Sequence, residues 1–149
     1  MCYSGTKYFD EIFSELEEIY SKDYVLLIDF NEQIIRYAFR KFKVTAPVYR
    51  TSQLISEGFD ISGIKSDLVI RMCDAAKTKT FVFGPDGKKY IEKEKFYENR
   101  IAFIFQNFTH PVYKQKFDGF ESHMSFVDLL FNYGEESINF LQELKYDTE

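Results

Sequence analysis

The sequence predicts an α/β protein. We expect a small three-layer βαβαβ core built on a parallel sheet, with an amino-terminal helical pair before it and short carboxyl-terminal helices after it. Three observations carry that reading. From Tyr8 to Phe42, apolar residues return every three or four positions, as amphipathic helices require. TFVFG (80–84) and IAFIF (101–105) are nearly unbroken apolar runs of strand length, and such strands alternating with helices form parallel sheets covered on both faces. No repeat, linker or low-complexity tract divides the 149 residues, so a single domain over 1–149 is expected.

The elements follow in order. Tyr8, Phe9, Ile12, Phe13, Leu16, Ile19 and Tyr20 mark a first helix, with Glu11, Glu15 and Glu18 opposite. After a polar break at Ser21–Asp23, Phe30, Ile34, Ile35, Ala38, Phe39 and Phe42 mark the second. PVYRT (47–51) reads as a short strand, and Ile61, Ile64, Leu68, Met72 and Ala76 as a helix. The runs at 80–84 and 101–105 are the other two strands, with a short helix around Glu92–Glu98 between them. Two short helices close the chain, around Phe126–Tyr133 and Glu136–Leu144, and Gly134 is placed to end the first in a left-handed conformation.

Charge and composition narrow the partners. A net charge of −5 repels a phosphate backbone, so nucleic acid is not an expected partner. The densest cations, Arg36, Arg40, Lys41 and Lys43, sit where a helix ends, and dipole complementation explains them. Cys2 and Cys73 make no disulfide framework, which points to a reducing, cytoplasmic compartment. No apolar run approaches the ~20 residues of a membrane span, and the opening lacks the pattern of an export signal.

In an open parallel sheet, ligands bind beyond the carboxyl ends of the strands. Polar, turn-forming residues stand at each such end: Ser52 with Gln53, GPDGKKY (84–90), and Gln106–Tyr113. GPDG fits a type I turn, which by itself accounts for Gly84, Pro85 and Gly87, while Lys88 and Lys89 are either phosphate contacts or a solvated pair. His110, held extended by Pro111, is a candidate general base or a hydrogen-bonded structural histidine. His123 has no comparable setting and reads as a surface residue. In YKQKF (113–117), Tyr113, Gln115 and Phe117 alternate with two lysines, as in a half-buried edge strand. Ser125 and Asp128 have capping-box spacing, and helix punctuation accounts for both. There is no dinucleotide, P-loop, serine-hydrolase or zinc motif, and neither a metal nor another cofactor is expected.

The blocks RTSQL (50–54), SDLVIRMCDAAKTKTFVFGPDGKKYI (66–91), HPVYKQKF (110–117) and SFVDLLFNYGEES (125–137) together resemble the WbqC-like protein family. The likeness is to the carboxyl-terminal portion of the family, whose additional amino-terminal region has no counterpart here. Phe83 replaces a usual serine before the glycine loop, and Lys79 with Thr80 replaces a small or acidic pair. The resemblance implies a role in bacterial surface polysaccharide, including O-antigen: transfer of an amino acid or acyl group to a nucleotide-linked or lipid-linked amino sugar. The family's recurrent polar residues fall on Ser52, Gly84, Gly87, Tyr90, His110, Tyr113, Gln115, Ser125, Asp128 and Asn132; from these and the loop's position, His110 and Asp128 are the expected catalytic residues, and Ser52, Gly84, Gly87, Lys88, Tyr90, Tyr113, Gln115, Ser125 and Asn132 the expected substrate contacts. The alternative is a non-catalytic sugar-phosphate-binding or partner module, a homo-oligomer, or a fragment that needs an amino-terminal half.

Overall fold

The computed structural model describes residues 2–141 and the backbone of 145–147. The chain forms two compact units, Met1–Ala46 with His110–Glu143 and Pro47–Thr109 with Leu144–Glu149.

In the first unit, the expected helical pair is present as α1 (Phe9–Tyr20) and α2 (Leu27–Lys41). Tyr24 closes the α1 end by donating its hydroxyl to the Ile19 carbonyl at 3.0 Å, satisfying an acceptor the helix leaves open. Ile12 and Ile19 of α1 meet Tyr37 of α2 in a core completed by Leu130 and Phe131. Tyr37 is 1% exposed, and its hydroxyl reaches Glu15 at 3.0 Å. Lys41 bridges Glu15 at 2.6 Å and Glu11 at 3.0 Å, which ties the two helices together. The cationic group at the end of α2 is thus engaged locally, with Arg36 on Glu32 at 2.7 Å and Arg40 over the Tyr37 ring.

The same unit carries α6 (Phe126–Tyr133), followed by a 3₁₀ turn over Gly134–Phe140. The last residues of the second helix expected there, 142–144, lie outside the described residues. Gly134 does end α6 with a positive φ of 53°, although its ψ of −129° is not the left-handed helical value. Space requires glycine as well, because a Cβ there would stand 2.5 Å from the Tyr8 ring.

The second unit holds the sheet, and two of the three expected strands form as read. These are β1 (Thr80–Phe83) and β2 (Ala102–Asn107), paired in parallel with Phe81 opposite Phe103 and Phe83 opposite Phe105. The crossover between them runs through a 3₁₀ turn at Pro85–Lys89 and helix α5 (Lys93–Glu98). Phe83, Phe96, Phe103 and Phe105 pack with Cys73 of α4 (Lys65–Ala75), while Val82 on the opposite face of β1 is 49% exposed.

PVYRT is not a strand. Residues 47–50 have no regular structure, and Thr51 begins helix α3 (Thr51–Ser56). Arg50 is extended, with φ −95° and ψ 131°, so the local preference is real, but strand formation depends on a pairing neighbour. The third strand of the sheet is β3 (Lys145–Asp147), antiparallel to β2, in a stretch to which the sequence reading assigns no element.

Candidate functional site

The polar groups of the first unit gather around Asp128, in the first turn of α6 and 5% exposed. Burying a carboxylate is costly unless donors meet it. The Tyr3 hydroxyl donates to Oδ1 at 2.8 Å, the Tyr113 hydroxyl to Oδ2 at 2.6 Å, and the Gln115 amide to Oδ2 at 3.2 Å. An ionised carboxylate has about four acceptor positions, so three donors leave room for roughly one more. Burial, then the bonded Asp128, pushes the Tyr3 phenol up to about 12, and the same causes raise that of Tyr113. Both hydroxyls therefore remain donors at neutral pH.

Gln115 also holds a loop in place. Its amide donates to the Glu121 carbonyl at 2.9 Å and its oxygen accepts from the Glu121 N–H at 2.8 Å, which closes the segment 116–120. That segment walls a cavity of about 320 Å³ that opens onto Asp128 and is lined also by Tyr3, Gln115, Lys116, Phe117 and Phe120. Lys116 donates to the Cys2 carbonyl at 2.8 Å and to the Ser4 carbonyl, so it fastens the strand of chain that carries Tyr3. Aromatic faces, a carboxylate and an amide in one hollow suit a ligand that mixes apolar faces with N–H and O–H donors.

His110 is not among the residues that line this cavity. Its ring centroid lies 6.1 Å from Tyr113, 5.8 Å from Phe120 and 5.3 Å from His123. Nδ1 is 2.8 Å from the Pro111 carbonyl, which can only accept, so the neutral ring carries its proton on Nδ1 and Nε2 is the basic nitrogen.

The structure thus brings together Tyr113, Gln115 and Asp128, while His110 reaches only the Tyr113 ring of this group. The alternation read in YKQKF holds only in part and without a strand, since Tyr113 and Gln115 reach the same carboxylate and Lys114 is exposed, but Phe117 is exposed as the lysines are. Ser125 is the cap of α6, accepting from the Val127 N–H at 3.4 Å. Asp128 is not its capping partner, because its carboxylate turns to the two tyrosines instead. Asn132 donates to the Asp128 carbonyl at 2.7 Å, a bond along the helix that steadies the turn bearing the carboxylate.

The remaining residues belong to the second unit. Ser52 is exposed on α3, so the strand end it was assigned to does not exist. Gly84 and Gly87 form the turn, with the Gly87 N–H on the Gly84 carbonyl at 2.9 Å, and a Cβ on Gly87 would stand 2.5 Å from Phe83. Lys88 sits 5.3 Å from the Phe105 ring centroid, and Tyr90 is 53% exposed. Among the described residues, no three His, Cys, Asp or Glu side chains converge as a metal site requires.

Tyr3 is the residue that sequence reasoning missed. Its bond to Asp128 links positions 125 residues apart, and no local pattern announces it.

The fold and this cavity define an α/β protein with a carboxylate-centred polar site, and comparison with known proteins gives the class a name. The chain belongs to the WbqC-like protein family, whose model matches residues 1–140. A Mycobacterium tuberculosis relative, "Uncharacterized protein Rv1507c", is 29% identical over 85 residues. That match covers 56% of this chain and 37% of the relative, so the chain spans little more than a third of that protein's length. No solved structure matches this chain significantly. Among the described residues, no helix is long and apolar enough to cross a membrane.

Proposed function

We propose that this protein transfers an amino-acid or acyl group to an amino sugar during bacterial surface polysaccharide synthesis, O-antigen included. One observation carries the reading: a buried carboxylate, already held by two phenols and an amide, faces a cavity with roughly one acceptor position to spare. A sugar amine or hydroxyl supplies the missing donor, and Phe117 and Phe120 offer apolar faces to the ring. In the transfer, the amine nitrogen bonds to the donor's carbonyl carbon, the donor's leaving group departs, and the nitrogen gives up a proton. His110, whose Nε2 is the basic nitrogen, is the proton acceptor in this reading, and Asp128 positions the amine.

The test is calorimetric titration with nucleotide-linked amino sugars and their 2-hydroxy counterparts, followed by turnover with aminoacyl and acyl donors. Tighter binding of the amino forms, lost in Asp128→Asn, is expected. His110→Ala should keep the affinity and lose turnover at least tenfold. Equal affinity for both sugar types would remove the reading. Amino-sugar binding with no turnover from any donor would favour a sugar-binding module, an outcome to which the absence of His110 from the cavity lining lends weight.

A further inference from the structure

Charge in the wall of the Asp128 cavity discriminates among amino sugars. Three carboxylates line it, those of Asp118, Glu121 and Asp128, against the one ammonium of Lys116, an excess of two negative charges. That ammonium is already engaged: it donates to the Cys2 carbonyl at 2.8 Å and to the Ser4 carbonyl, and it lies 5.4 Å from the Phe117 ring centroid. Asp118 and Glu121 are exposed and form the solvent side of the cavity, whereas Asp128, 5% exposed, is its buried end. Such a wall attracts a cation and repels a phosphate, most strongly where the ligand displaces water. Tyr3, Phe117 and Phe120 add aromatic faces, which also attract an ammonium. In a 2-amino sugar the anomeric carbon adjoins the carbon that bears the amine, so a phosphate on it cannot be held clear of this wall while the amine meets Asp128.

We propose that this cavity takes a glycosidically linked amino sugar as its ammonium cation and disfavours the same sugar carrying a phosphate or diphosphate at its anomeric carbon. The proposal rests on the amino-sugar reading and deepens it by naming the substrate class. The acceptor is an amino sugar already joined to another sugar or alcohol, so the transfer follows the glycosyl-transfer step that releases the sugar from its nucleotide. An ammonium has no lone pair, so the bound cation loses one proton to water before its nitrogen attacks.

Calorimetric titration with methyl 2-amino-2-deoxyglucoside, methyl glucoside and 2-amino-2-deoxyglucose 1-phosphate tests this. The methyl amino glycoside should bind about fivefold or more tightly than the 1-phosphate, and added salt should shrink that ratio, because part of the wall is exposed. Asp118→Asn combined with Glu121→Gln, at exposed positions and with the Glu121 backbone bonds to Gln115 kept, should narrow the ratio about twofold or more by favouring the phosphate. Affinity for the methyl amino glycoside should fall as rising pH strips the proton from its amine, with a heat that depends on the buffer as a proton is taken up on binding. Equal affinity for the amino glycoside and methyl glucoside would remove the amino-sugar reading and this proposal with it. A preference for the amine together with equal or tighter binding of the 1-phosphate would overturn the proposal alone. A ratio that the double variant leaves unchanged, or an affinity that climbs with pH, would overturn it as well.

Discussion

The two units bury polar groups in opposite ways. In the second, the buried polar side chain Ser66 is met by one bond, from the Glu92 N–H at 3.0 Å, and its aromatic cluster leaves the carboxylates at the surface. In the first, Asp128 is buried and engaged by three side chains drawn from positions 3, 113 and 115. A structural core has little use for a buried carboxylate, since apolar residues of similar volume often serve stability as well or better. The difference points to a second unit specialised for stability and a first unit that spends stability on a polar site.

The largest expected effect tests that division from the stable side. Phe105→Ala empties a position that is 1% exposed and packed against Phe83 and Phe103. It should cost about 3–5 kcal/mol, measured by urea unfolding. The amino-sugar binding proposed for the Asp128 cavity, measured in the absence of denaturant, should not change. A parallel loss of affinity would break the comparison, because core and site would then be one energetic unit.

How much of each unit was legible follows from the same contrast. β1, the turn at Pro85–Lys89, α5 and β2 occupy one stretch of 28 residues, 80–107, and their contacts are set by local periodicity and turn chemistry. They were read correctly. PVYRT was read as a strand because its side chains favour extended backbone, but the strand that β2 accepts comes from Lys145–Asp147, a choice made by tertiary pairing. In the first unit, the family resemblance points to Tyr113, Gln115 and Asp128 as site residues, yet the local pattern around Asp128 does not. Three residues after a serine, an aspartate looks like a cap, and only the arrival of Tyr3 from the far end of the chain shows that it serves a cavity.

A smaller effect resolves how the carboxylate is held. Tyr3→Phe and Tyr113→Phe each delete one hydroxyl donor to a charged acceptor and should cost about 1.5–3 kcal/mol apiece. Because both bonds end on one carboxylate, the double variant should depart from the sum of the singles by about 0.5 kcal/mol or more. Denaturant unfolding of the four proteins completes the cycle. Additive losses would mean that the two tyrosines act separately and that the network is not a unit.

The smallest effect is a pH dependence, and its sign follows from the phenols. Tyr3 has its proton-binding strength raised to about 12, and Tyr37 and Tyr113 are raised as well, in each case first by burial and then by a neighbouring carboxylate. An unfolded tyrosine titrates near 10, so above that pH the unfolded chain releases protons that the folded chain keeps. The stabilisation is fully present below about pH 10 and is lost as the pH climbs through the raised folded values. All three tyrosines lie in the first unit, whereas Tyr90 and Tyr97 of the second are 53% and 64% exposed. Tyrosinate absorbance followed beside thermal melts should therefore show a late group of tyrosines that ionises only as the first unit melts. If Tyr3→Phe and Tyr113→Phe left that late group undiminished, the buried network would not be its source, and the contrast between the units would have to rest on geometry alone.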